Sequence, residues 1–176
     1  AEQTRELERI ATEQHNLSFS ELMTRAGASA LATIKQHWPR AERILILCGT
    51  GNNGGDGFEL ARQAAAYDYR VMILQLGDEK SLTKTASAAK DALLATGIEI
   101  HRFQEKLPST DVVVDAIFGT GLNRAIEGEA SAIIDAINQT KRSPVLSLDI
   151  PSGLHADNGN VLGAAVNATM TLNFIG

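Results

Sequence analysis

Three short stretches of this chain carry residues that can do chemistry. The first, Gly49-Thr50-Gly51-Asn52-Asn53-Gly54-Gly55-Asp56-Gly57, has five glycines in nine residues and leads into a helix-period segment. Glycines at that density let a backbone take positive φ and approach a ligand closely. The amides that open the following helix favour an anion such as phosphate. Read alone, Gly49-x-Gly51-x-x-Gly54 fits a dinucleotide-binding fingerprint, with Asp78 near the place of a ribose-binding acid. Asn52 and Asn53 add two amides. Asp56 sets a carboxylate beside that phosphate seat, where it repels pyrophosphate unless it caps the helix or faces a cation.

In the second stretch, Asp115 follows the run Val112-Val113-Val114 and precedes Ala116 to Arg124. An ionised acid at the end of a buried strand needs a partner, which loop amides or a cation can supply. Gly119, Gly121 and Arg124 form a loop suited to an anion, with a solvated surface position as the alternative for Arg124. The third stretch is Asp149-Ile150-Pro151-Ser152-Gly153-Leu154. Ser152 stands outside any Gly-x-Ser-x-Gly elbow and reads as an oxygen ligand or a turn cap. Asp149 is the general acid/base candidate, because a strand-end acid facing a closed pocket can have its pKa tuned. Together these oxygens suit a hard cation, monovalent at least as well as divalent.

The elements around these stretches predict how they meet. Apolar runs at Ile44 to Cys48, Val71 to Leu76, Ile98 to Arg102, Val112 to Ala116, Val145 to Asp149 and Thr169 to Phe174 read as strands. Helical periods fall at about Gly54 to Tyr67, Thr83 to Thr96 and Glu129 to Asn138. Alternation of this kind predicts an α/β fold: a Rossmann-like, doubly wound, mainly parallel sheet in an αβα sandwich. Two helices precede it, Arg5 to Gln14 and Ser20 to His37, the second with Ser20 as its expected N-cap. In such a sheet, ligands sit beyond the carboxyl ends of the strands where the strand order reverses, so all three stretches converge there.

Composition narrows the class further. The 176 residues suit one domain with a single core, 44% hydrophobic and 21% charged. A net charge of −5 argues against sequence-independent nucleic-acid binding. The single cysteine, Cys48, excludes an intramolecular disulfide framework and reads as a small core residue. No apolar stretch approaches the roughly 20 residues that span a bilayer, and the first 16 residues are too charged for a signal peptide. A cytoplasmic location is expected. The chain stops at Asn173-Phe174-Ile175-Gly176, directly after a strand-like run, so the expectation is a domain over 1–176 that is truncated at its C-terminus.

The three stretches, from Cys48 to Gly57, from Asp115 to Leu122 and from Ser147 to Gly153, resemble the signature loops of the YjeF N-terminal domain, the NAD(P)H-hydrate epimerase family. Glu21-Leu22-Met23-Thr24-Arg25-Ala26-Gly27 resembles its N-terminal segment. The resemblance implies interconversion of the R and S forms of hydrated NADH or NADPH, in partnership with a dehydratase that is often fused C-terminally. It implies substrate binding by Asn52, Asn53, Gly54, Gly55 and Asp56, and by the loop Gly119, Thr120, Gly121, Leu122, Asn123, Arg124 and Ala125. It further implies a potassium ion held at Asn53, Asp115 and Ser152, with Asp149 contacting substrate and assisting catalysis. Glu59 departs from the apolar residue that relatives more often carry. Two other readings share the fold. One is a nicotinamide dehydrogenase, disfavoured by Asn52, Asn53 and Asp56 in the glycine stretch. The other is a non-catalytic binding or RNA-related scaffold module, expected to have lost the acids Asp56, Asp115 and Asp149 that are present here. The leading helices also allow a homodimer.

Overall fold

A computed structural model describes residues 18–174. The expected helix Arg5 to Gln14 lies outside the described residues. Chain order is α1 (Phe19–His37), β1 (Arg43–Cys48), α2 (Asn52–Ala66), β2 (Arg70–Gln75), a 3-10 turn (Glu79–Ser81), α3 (Lys84–Leu94), β3 (Ile100–His101), β4 (Val112–Ala116), α4 (Gly128–Asn138), β5 (Val145–Leu148) and β6 (Met170–Leu172). All six strands are parallel, in the order β3-β2-β1-β4-β5-β6. This is the doubly wound sheet expected, and its order reverses between β1 and β4. No helix among the described residues is long and apolar enough to cross a membrane.

Successive strand residues face opposite sides of a sheet, and β1 divides its side chains that way. Ile44, Ile46 and Cys48 join Phe58, Leu60 and Ala61 of α2, Leu31 and Ile34 of α1 and Leu93 of α3 in one buried cluster. Leu45 and Leu47 join Ile133, Ile134 and Ile137 of α4 in another, on the opposite face. Both faces are therefore covered, and the central strands β1, β4 and β5 are mostly apolar because their residues past Arg43 are buried on either face. Cys48 is fully buried in this core, and burial pushes its thiol pKa far up, so it is inert packing.

Helix α1 begins two residues earlier than Ser20 predicts. Ser18 is the N-cap: the Glu21 amide donates to Ser18 Oγ at 3.2 Å, and the Ser18 amide donates to Glu21 Oε2 at 2.7 Å. This capping box needs an acid three residues after the cap; Ser18 has one and Ser20 does not. Helix α1 lies on α2 so closely that a Cβ on Gly27 would come within 2.9 Å of the Leu60 amide nitrogen.

The account of Glu59 lies at this contact. Its carboxylate is buried and accepts from Arg62 Nε at 3.0 Å, Arg62 Nη2 at 2.5 Å and Gln63 Nε2 at 2.9 Å; the same Gln63 amide donates to the Thr24 carbonyl of α1 at 2.9 Å. Burial raises the Glu59 pKa, but the bonds from Arg62 and Gln63 and the Arg62 charge outweigh it and hold it below the ordinary range. The network clasps α1 to α2, and with it the N-terminal turn of α2. Replacing Glu59 by Ala leaves the guanidinium without its acceptor and the Gln63 amide with the Thr24 carbonyl alone. The expected loss is about 2–3 kcal/mol in urea denaturation, below a fully buried pair because Arg62 reaches solvent. A lowered carboxyl pKa stabilises above the unfolded value and is lost as pH falls through the folded one. The stability gap between wild type and Glu59→Gln therefore narrows in acid.

Candidate functional site

Asp115 is the buried anchor of the site. It sits in β4 beside Ser147 of β5, fully excluded from solvent. Its Oδ1 accepts from Ser152 Oγ at 2.5 Å and the Ile117 amide at 3.3 Å; its Oδ2 accepts from Ser147 Oγ at 2.8 Å and the Ser152 amide at 2.9 Å. Desolvation nevertheless prevails over these four bonds and raises its pKa. Ser152 Oγ accepts in turn from the Phe118 amide at 2.8 Å. One hydroxyl thus fastens the loop after β5 to both the end of β4 and the loop that follows it.

Pulling Ser152 back to Asp115 forces the chain to reverse within the residues just after β5. Asp149 takes the strain, with φ +64°, and the Ile150 amide closes onto the Leu148 carbonyl at 2.8 Å, the bond of a γ-turn. A left-handed aspartate is uncommon, and such outliers cluster at functional sites. The turn lays the Asp149 side chain over Gly119, where Oδ2 accepts from the Thr120 amide at 2.7 Å. A Cβ on Gly119 would stand 2.5 Å from that Oδ2 and 3.4 Å from the Cβ of Asn53. Asn53 and Asp149 therefore meet across a residue that must be glycine.

Asn53 lies in the first turn of α2. This helix starts at Asn52 with Gly51 as N-cap, two residues before the predicted Gly54, so Asp56 is inside the helix and is not its cap. The glycines differ from expectation too: none of the five has positive φ. They permit close packing, since a Cβ on Gly49 would strike the Ile117 carbonyl oxygen at 2.0 Å, and one on Gly54 the Gly49 carbonyl oxygen at 2.1 Å. The first helical amide to find a partner is that of Gly55, which donates to the Gly51 carbonyl at 3.2 Å. Ahead of it, the Asn52, Asn53 and Gly54 amides are the orphan donors of the helix end. The Asn53 side chain is buried, with neither Oδ1 nor Nδ2 hydrogen-bonded among the described residues. A buried amide with both ends unmet is costly, and a ligand could meet them.

Of the expected site residues, Asn53, Gly54, Asp115, Gly119, Thr120, Asp149 and Ser152 come together at the carboxyl ends of β1, β4 and β5. Asn52 turns outward on the same helical turn and is exposed. Gly121, Asn123, Arg124 and Ala125 are exposed farther along the loop, while Leu122 is half-buried and packs against the α4-side core. Asp78 holds no ligand position; it caps the short 3-10 turn through the Lys80 amide. His155 is half-buried in a turn, its Nδ1 facing the Asp157 amide at 3.3 Å. Ser147 escaped the sequence reading; its one signal was a hydroxyl within an otherwise apolar strand.

An all-parallel doubly wound sheet with a polar cluster at its switch point defines a Rossmann-like domain, a fold in which ligands sit at that point. The family described as YjeF-related protein N-terminus matches residues 20–176, and the chain belongs to it. It is 42% identical over 174 residues to the bifunctional NAD(P)H-hydrate repair enzyme Nnr of Coxiella burnetii, covering 98% of this chain and 35% of that one. It is 42% identical to the Nnr of Escherichia coli over 176 residues, covering 99% and 34%. The chain thus spans about a third of these bifunctional relatives. Against the NAD(P)H-hydrate epimerase of Limosilactobacillus fermentum it is 32% identical over 174 residues, covering 99% and 83%. The fold matches the crystal structure of yeast ynu0 with a TM-score of 0.83 at 21% identity, covering 97% of this chain and 76% of that one.

Ser152→Ala removes a donor to a buried carboxylate and leaves the Phe118 amide unmet. The expected loss is about 2 kcal/mol in urea denaturation.

Proposed function

We propose that the domain is an NAD(P)H-hydrate epimerase, interconverting the R and S forms of the hydrated cofactor so that an epimer-specific dehydratase can consume both. The observation that carries this reading is Asp149, held in a strained turn with Oδ2 on the Thr120 amide, beside a buried Asn53 side chain with no partner. Membership of the family and the names of its relatives support it. Retention of Asp115 and Asp149 in one connected cluster supports an enzyme over a scaffold.

The hydrate carries its hydroxyl on the carbon next to the ring nitrogen. Asp149 protonates that hydroxyl, the nitrogen lone pair expels water, and an iminium-like intermediate forms. Water then adds to the opposite face and returns a proton to Asp149. Asn53 supplies an amide to orient the ring or its hydroxyl. The free amides of Asn52, Asn53 and Gly54 receive the negative diphosphate, and Thr120, through its backbone, keeps the catalytic carboxyl aimed. The outer loop, Gly121 to Ala125, borders the substrate.

Potassium fits the donors present. Asn53 Oδ1 is buried without a partner, Asp115 is a carboxylate that burial penalises, and Ser152 adds a hydroxyl. One acid, one amide and one hydroxyl suit a weakly charged hard cation. No group of three or more His, Cys, Asp or Glu side chains able to hold a metal occurs among the described residues. When bound, the ion supplies fixed positive charge beside Asp115.

Two experiments test this. In an assay coupled to an S-specific dehydratase with potassium present, the chain accelerates loss of the R form above its spontaneous rate. Asp149→Asn lowers that acceleration by about 100-fold or more while leaving substrate binding nearly intact; undiminished turnover rejects the role. Independently of activity, potassium raises the melting temperature relative to choline at the same ionic strength. Burial raises the Asp115 pKa while a cation favours its ionised form, so the potassium effect is lost as pH falls through that titration and vanishes in Asp115→Asn.

A further inference from the structure

A dinucleotide is longer than the cluster around Asp149, so the site above accounts for one end of it. Asp149 follows β5, on one side of the β1–β4 boundary. Over the first turn of α2 lies a cavity of about 310 Å³, enclosed by α1, by Thr85 at the start of α3 and by Phe174 just past β6. Resting on the epimerase reading, we propose that this cavity receives the adenosine half of the substrate.

The cavity adjoins the catalytic cluster through two consecutive residues, for Asn52 lines it while Asn53 faces Asp149 and Gly119. Between them stand the unpaired amides that open α2, the natural seat for the diphosphate joining the two halves. Phe19, Met23 and Phe174 supply apolar surface suited to the faces of a purine. Phe19 leaves 46% of its surface exposed, more than an aromatic side chain on a covered helix face requires. Asn52 is oriented before any ligand arrives: Thr83 Oγ1 and Thr85 Oγ1 each donate to its Oδ1 at 3.0 Å, which fixes the amide plane and leaves Nδ2 to donate to a ring nitrogen. Arg25 and Asp56 put one charge of each sign in the lining. The volume lies at the small end of ligand cavities, enough for a nucleoside and too little for the whole dinucleotide.

The test separates this placement from the activity. AMP, titrated to millimolar concentration into the 15N-labelled chain, is expected to shift the amides of α1 from Phe19 to Ser29 together with Asn52 and Thr85. Ser29→Trp, which fills the cavity from an exposed helix position, is expected to weaken AMP binding at least about tenfold. In the coupled assay, the kcat/KM advantage of hydrated NADH over hydrated reduced nicotinamide mononucleotide is expected to collapse in Ser29→Trp. AMP shifts that map elsewhere, an AMP affinity untouched by Ser29→Trp, or an unchanged substrate ratio would overturn the proposal. If neither substrate is turned over, the epimerase reading fails, and the AMP map still decides what the cavity binds.

Discussion

The site depends on one buried charge. Asp115 sits inside a parallel sheet with no water to solvate it, and four hydrogen bonds are spent on making that tolerable. Two of the four come from Ser152, which lies beyond the end of β5, so the chain must double back to deliver them. The reversal puts Asp149 into a left-handed turn, and that turn aims its carboxylate at the Thr120 amide. Solving the desolvation problem of one acid thereby positions another. Burial still leaves Asp115 with a raised pKa, and a cation beside it would complete the balance.

A second constraint comes from close packing. Helix α2 starts directly under the β1–β4 boundary, and a side chain at Gly49, Gly54 or Gly57 would collide with the ends of those strands. The approach leaves Asn53 buried with no protein partner, while Asn52, one residue earlier, faces outward to the hydroxyls of Thr83 and Thr85. One helical turn thus serves two sides of the molecule. The Glu59–Arg62–Gln63 network holds α1 against the same helix, which explains an acid where an apolar residue would otherwise be expected.

Much of this was legible in the chain because strand burial and helix period are local signals. The sequence places the strand Val112 to Ala116 with its observed ends and Ile44 to Cys48 one residue short of the observed start at Arg43, since a run buried on both faces is largely apolar. Edge strands were read too long: β3 is only Ile100–His101 and β6 only Met170–Leu172, because pairing, not composition, ends a strand at a sheet edge. Helix starts slipped by two residues, at Ser18 and at Asn52, since a cap is decided by which side chain reaches an amide.

The sequence by itself determined the alternation that makes the sheet, the three polar stretches that follow β1, β4 and β5, and the residue types they offer. Those depend on side-chain chemistry and spacing along the chain. Only the tertiary structure decided that Ser147 joins Asp115, that the glycines serve contact instead of positive φ, and that Asn53 is left unpaired while Asp56 lies within a helix. Each of these turns on which backbone passes within about 3 Å of which side chain. That distance is set by strand register and helix packing between residues dozens of positions apart, and no local pattern encodes it.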